Sequence, residues 1–152
     1  MTWYELWLFL HVAGTILWVG GAVAGQVFGL LAKQSGDPAR TAAFGRDMAT
    51  LGTRVLMPSS LVVAATGILL IAEGNWSWGE PFIVLGLIGW AIVAFTAFGY
   101  LARGMRDAGT QIAMDGPSPE LMARVGRLVL LARVLILVLA VLVFLMVVKP
   151  GT

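Results

Sequence analysis

Residues 6–32 read LWLFLHVAGTILWVGGAVAGQVFGLLA, an apolar run in which His11 is the one ionisable side chain. A helix crosses a bilayer with roughly 20 mostly apolar residues, so this stretch decides the fold as a transmembrane helix. Residues 55–72, 82–102 and 128–148 meet the same standard. Hydrophobic residues make up 59% of the chain and charged residues 12%, the latter about half the ~25% of a soluble domain. Mean hydropathy is +0.92. The expected architecture is all-α, a polytopic four-transmembrane-helix bundle forming a single membrane domain over residues 1–152. The first run is not a signal peptide: residues 1–5 carry no basic side chain, and the run exceeds the ~7–15 residues of a signal core.

The connections orient the bundle. Lys33, Arg40, Arg46 and Arg54 lie between spans one and two, and Arg103, Arg106, Arg124 and Arg127 between spans three and four. The link between spans two and three carries Glu73 and Glu80 and no basic residue. Lys and Arg bias sets orientation, which predicts both basic connections in the cytoplasm and both termini outside. Trp3, Tyr4, Trp7, Trp76 and Trp78 gather at the outer face, where an aromatic belt belongs. The pI of 9.5 then needs no nucleic acid, since the arginines serve topology and contact with anionic lipid. The basic connections also read as helical. Asp37-Pro38 supplies an N-cap and a first-turn proline, so helix two is expected to begin in the cytoplasm near Ala39. Ser118-Pro119-Glu120 repeats that logic after a turn at residues 115–119, and Pro150-Gly151 closes the last span.

Close helix packing in lipid depends on small residues and polar contacts. Span one offers Gly21, Gly25 and Gly29 as a tandem GxxxG, with Gly14 on a neighbouring stripe. Two uses are open: packing within the bundle, or a homodimer through this glycine face. His11 shares the stripe of Trp18 and Gly25 and is expected to face inward. In span four, Gly126, Arg133 and Ala140 lie at heptad spacing, which predicts an inward Arg133. The alternative is snorkelling, since Arg133 lies about 9 Å beyond Arg127 at 1.5 Å per residue. Depth places His11, Thr66 and Met146 in an outer polar cluster and Gln26, Ser59, Ser60 and Arg133 in an inner one. Pro58 interrupts the helix ladder beside the serines, which can free a carbonyl for a ligand or a water. The serines and Thr66 can equally bond to their own helix.

Leu10-His11-Val12, Leu17-Trp18-Val19-Gly20-Gly21, Thr66-Gly67 and the terminal Leu145-Met146-Val147-Val148-Lys149-Pro150 together resemble an uncharacterised bacterial family of four-span integral membrane proteins, a domain of unknown function. The resemblance covers nearly the whole chain and implies a four-helix membrane bundle without an established activity. The first span alone, Leu-His followed by Trp-x-Gly-Gly, is similar to copper-resistance D-type proteins and to HemJ-type protoporphyrinogen oxidases. The latter resemblance implies haem binding through His11. Those oxidases also use an intramembrane lysine, whereas Lys33 and Lys149 here stand at span ends.

Three function classes follow. In the first, the bundle binds haem b or copper, with His11 as ligand and Met146 as second ligand by depth; His/Met pairs hold haem in cytochromes. In the second, inner polar residues line a transport path. In the third, the chain is a non-catalytic scaffold or accessory subunit. Enzymatic catalysis is disfavoured. The chain has no cysteine and one histidine, so thiol nucleophiles, Cys-based metal sites and sites needing two histidines from one chain are excluded. No carboxylate lies inside a span, which argues against a membrane-carboxylate antiporter.

Overall fold

The computed structural model describes residues 2–150, and of Pro38 the backbone alone. Four helices are long and apolar enough to cross a membrane: helix one, Trp3–Gln34; helix two, Ala39–Glu73; helix three, Pro81–Asp115; helix four, Pro119–Val148. Their starts follow from the capping residues. Thr2 and Glu5 form a reciprocal capping box, the Asp37 carboxylate accepts from the Ala39 N–H, and the Ser118 hydroxyl accepts from the Leu121 N–H. Each satisfies an amide that the first turn leaves without a partner. The chain reverses at Gly36, Asn75 and Gly116, all with positive φ, and such short connections make consecutive helices antiparallel neighbours. Both basic connections are largely helical, continuous with the spans they flank. Gly151, expected with Pro150 to close the last span, lies outside the described residues.

Two helices contain a widened turn. In helix two, residues Gly52–Leu56 are π-helical, and the Met57 N–H bonds to the Gly52 carbonyl. Pro58 follows directly. It has no N–H to donate, and its ring would press on the carbonyl four residues earlier. A wide turn just upstream lets the helix continue past it. In helix three the π segment is Phe95–Leu101, with the Ala102 N–H bonded to the Ala97 carbonyl.

The bundle consists of two helical hairpins, one-two and three-four, and in each a glycine-notched helix receives side chains from its partner. A Cβ at Gly21 would stand 2.5 Å from Leu56, one at Gly25 2.5 Å from Met48, and one at Gly29 3.0 Å from Phe44. Gly14 is tighter in kind, since its Cβ would meet Val63 at 3.1 Å and the backbone oxygen of Ser59 at 3.3 Å. The glycine face of helix one is thus filled from within the chain, by helix two. Helix three repeats the device: Gly86 receives the Met146 methyl, Gly89 receives Leu142 and Gly104 receives Leu128. The hairpins join through a core of Trp18, Leu56, Val93, Leu135 and Leu139. The indole of Trp90 donates to the Ser60 carbonyl across that junction at 3.0 Å.

Helix four corrects one expectation. Gly126, Arg133 and Ala140 are exposed, while Leu121, Leu128, Leu135 and Leu139 are buried. Arg133 stands two residues, about 200° of helical rotation, from Leu135. The small-residue stripe therefore points away from the bundle, and Arg133 faces the surroundings of helices three and four, not their interior.

The tryptophan-rich end is tied together. Trp3 and Trp7 stack at 5.8 Å, and the Trp7 indole donates to Glu73 at 3.3 Å. Trp76 meets Phe82 edge-on at 5.4 Å and carries Lys149 over its face at 4.5 Å.

Candidate functional site

Helix one meets the backbone of helix two at Gly14, where a Cβ would stand 3.3 Å from the Ser59 oxygen, and His11 lies one turn toward the tryptophan-rich end. Its Nδ1 is 2.9 Å from the Val63 carbonyl and 3.2 Å from the Thr66 hydroxyl. A carbonyl only accepts, so Nδ1 carries the hydrogen and donates. The Thr66 hydroxyl donates to the Val62 carbonyl at 2.5 Å and offers a lone pair to the same imidazole N–H. Gly67 supplies the floor: a Cβ there would stand 3.3 Å from His11 Cε1. The Thr15 hydroxyl donates to the His11 carbonyl at 2.8 Å, one turn along helix one.

This arrangement fixes the tautomer. With hydrogen on Nδ1, the neutral ring presents Nε2 as a bare lone pair, and Nε2 has no hydrogen-bond partner among the described residues. Metal-ligating histidines commonly use one nitrogen in this way, donating it to a backbone carbonyl while the other coordinates. The geometry therefore makes His11 chemically able to bind an electrophilic centre. An interhelical hydrogen bond in a membrane contributes only about 0.6 kcal/mol on average. The close fit of Leu56, Met48, Phe44 and Val63 against the glycines of helix one shows that packing as well as this bond joins helix one to helix two.

The other sequence-derived residues separate into distinct settings. His11 and Thr66 meet directly. Met146 is half-buried on helix four, its methyl over Gly86, beside Ile71, Phe82 and Ile83. Ser60 is buried and donates to the Met57 carbonyl of its own helix at 2.9 Å. Ser59 is buried where helix one crosses, its backbone oxygen facing Gly14. Gln26 is half-buried with no hydrogen-bond partner among the described residues, and Arg133 is exposed on helix four. Among the described residues, no three His, Cys, Asp or Glu side chains gather as a metal cage. The Val63 carbonyl was not legible as part of the site, because a backbone acceptor has no sequence signature. The sequence marks Gly67 only by its place beside Thr66.

A family model described as "Predicted integral membrane protein (DUF2269)" matches residues 5–150, almost the entire bundle and the whole His11 environment. The chain belongs to the DUF2269 family. That description agrees with four membrane-length helices and leaves the function of DUF2269 proteins open. Comparison with curated proteins and with solved structures yields no match for this DUF2269 chain.

Proposed function

We propose that this protein is a multi-pass protein of the bacterial inner membrane, termini outside, that binds a metal-centred ligand through His11 Nε2. The observation that carries the reading is the Nδ1 hydrogen bond to the Val63 carbonyl, which leaves Nε2 with an oriented lone pair. Haem b is the ligand that suits a single imidazole best. A porphyrin brings four nitrogen ligands of its own, so one imidazole from the protein would suffice to hold it. Copper(I) favours soft donors, and a stable site needs more than one of them. Met146, its methyl seated over Gly86 on helix three, would have to leave that notch to serve as the second ligand in either case.

The test is an absorption spectrum of detergent-purified protein, oxidised and reduced, with iron and copper measured on the same sample. A Soret band or stoichiometric metal that disappears in His11→Ala supports the reading. Because His11 contributes little to helix packing, this variant is expected to fold, and its size-exclusion profile checks that. Met146→Leu addresses the second position: retention of haem with an altered ligand-field spectrum would place the thioether on the iron. A clean spectrum, after expression with haem and copper supplied, overturns the proposal and favours a scaffold or accessory subunit.

A further inference from the structure

The end of the bundle opposite the tryptophans carries a second feature, independent of His11. A groove of about 370 Å³ there is lined by Phe95, Gly99, Tyr100, Arg103, Gly104 and Asp107 of helix three and by Arg124 of helix four. A neighbouring depression of about 260 Å³ shares Arg124 and adds Arg127, Glu120, Gln111 and Ser118. No hydrogen bond or ion pair engages the side chains of Arg103, Arg124 or Arg127 among the described residues. Arg103 and Arg124 thus line the groove, and Arg124 and Arg127 the depression beside it, with their donors unspent.

The groove changes character with depth. Arg103 follows the apolar residues 82–102, and Arg124 and Arg127 precede the apolar residues 128–148. The charged portion thus sits where the apolar spans begin. Phe95 and Tyr100, 76% and 65% exposed, continue the groove into the apolar zone. Phe95 lies eight residues from Arg103, about 12 Å of helix. The π segment Phe95–Leu101 forms this wall, and wide turns of this kind are frequent at functional sites. A polar mouth joined to an apolar wall fits an amphiphile better than a free anion. Asp107 and Glu120 also line the two depressions, and as acceptors they suit headgroup hydroxyls. Three arginines against two carboxylates leave the two adjoining depressions net positive.

We infer that the groove between helices three and four binds an anionic phospholipid of the phosphatidylglycerol type. Its phosphodiester would be held by Arg103, Arg124 and Arg127, and an acyl chain would lie along Tyr100 and Phe95. Arginine suits this task because its planar fork donates two parallel hydrogen bonds to phosphate oxygens. Basic recesses between helices at the membrane surface are suited to lipid headgroups.

The experiment is native mass spectrometry of the purified full-length protein in detergent, titrated separately with dioleoyl phosphatidylglycerol, phosphatidylethanolamine and phosphatidylcholine. Saturable binding of phosphatidylglycerol, at least tenfold tighter than either zwitterionic lipid, is expected. Arg103→Gln and Arg127→Gln should each weaken it several-fold. Both side chains are exposed, so these variants keep the test open if Arg124→Gln fails to fold. Arg46→Gln, on the other basic connection, removes the same charge away from the groove and should leave binding unchanged. Equal retention of all three lipids overturns the inference, as does an equal loss in Arg46→Gln, which would mean diffuse attraction. Displacement of the lipid by millimolar inorganic phosphate would overturn it in favour of a free-anion site.

Discussion

His11 is the chain's one histidine, and this makes its chemistry unusually easy to read. The Val63 carbonyl 2.9 Å from Nδ1 demands a hydrogen on that nitrogen in the neutral ring. Nitrogen-15 NMR of protein labelled only at histidine reports the tautomer without any assignment step. The expected result is a protonated Nδ1 and an unprotonated Nε2 at neutral pH. The opposite tautomer would remove the lone pair that the proposed ligand needs. Thr66 is the secondary partner at 3.2 Å, so Thr66→Val should keep the same tautomer and lower the melting temperature only slightly, in line with about 0.6 kcal/mol for a membrane hydrogen bond. Sequence could bring His11 and Thr66 to one depth, because helical rise converts residue number to height. It could not show that a backbone carbonyl one turn away is the dominant partner.

At the level of elements, the glycines of helix one are not equivalent, although the sequence presents them as one repeated motif. Gly14 faces the backbone oxygen of Ser59 at 3.3 Å from its would-be Cβ, whereas Gly20 meets nothing within 4 Å. Side-chain ends such as the Met48 methyl can swing aside from a new Cβ; a helix backbone cannot. Gly14→Val should therefore push helices one and two apart and lower thermal stability in detergent by the roughly 1–3 kcal/mol of an overpacked site. Gly20→Ala should leave stability unchanged or raise it, since alanine is favoured over glycine in a helix interior by about 1 kcal/mol. A melting curve for each variant by tryptophan fluorescence checks the contrast. Comparable losses in both would mean that Gly20 has a partner outside the chain. The wide turn in helix two was foreshadowed by Pro58, a residue with a known backbone cost. The one at Phe95–Leu101 has no proline to announce it. Helix three's notches at Gly86 and Gly89 have no mark in the sequence, because their spacing is not GxxxG.

Across the whole molecule, the hydropathy of the chain made four spans legible, because lipid imposes a length and an apolar composition on any helix that crosses it. The facing of helix four was not legible in the same way. A heptad stripe of small residues looks alike in sequence whether it meets a neighbour or the bilayer, and Leu128 and Leu135, not Arg133, turned out to face inward. Orientation rests on a separate physical rule, the asymmetry of Lys and Arg, and it yields a whole-molecule prediction. Eight of the ten basic residues lie on the two connections of one end, while Trp3, Trp7, Trp76 and Lys149 meet at the other. That arrangement predicts an outward Ser77 and inward connections at Gly36 and Gln111. The chain has no cysteine, so single substitutions carry no background. Ser77→Cys should react in intact cells with a membrane-impermeant maleimide, whereas Gly36→Cys and Gln111→Cys should react only after the cells are opened. The reverse pattern would turn the bundle over and move the arginine groove to the outer leaflet. Its phospholipid chemistry would stay the same, but the leaflet supplying the lipid would change.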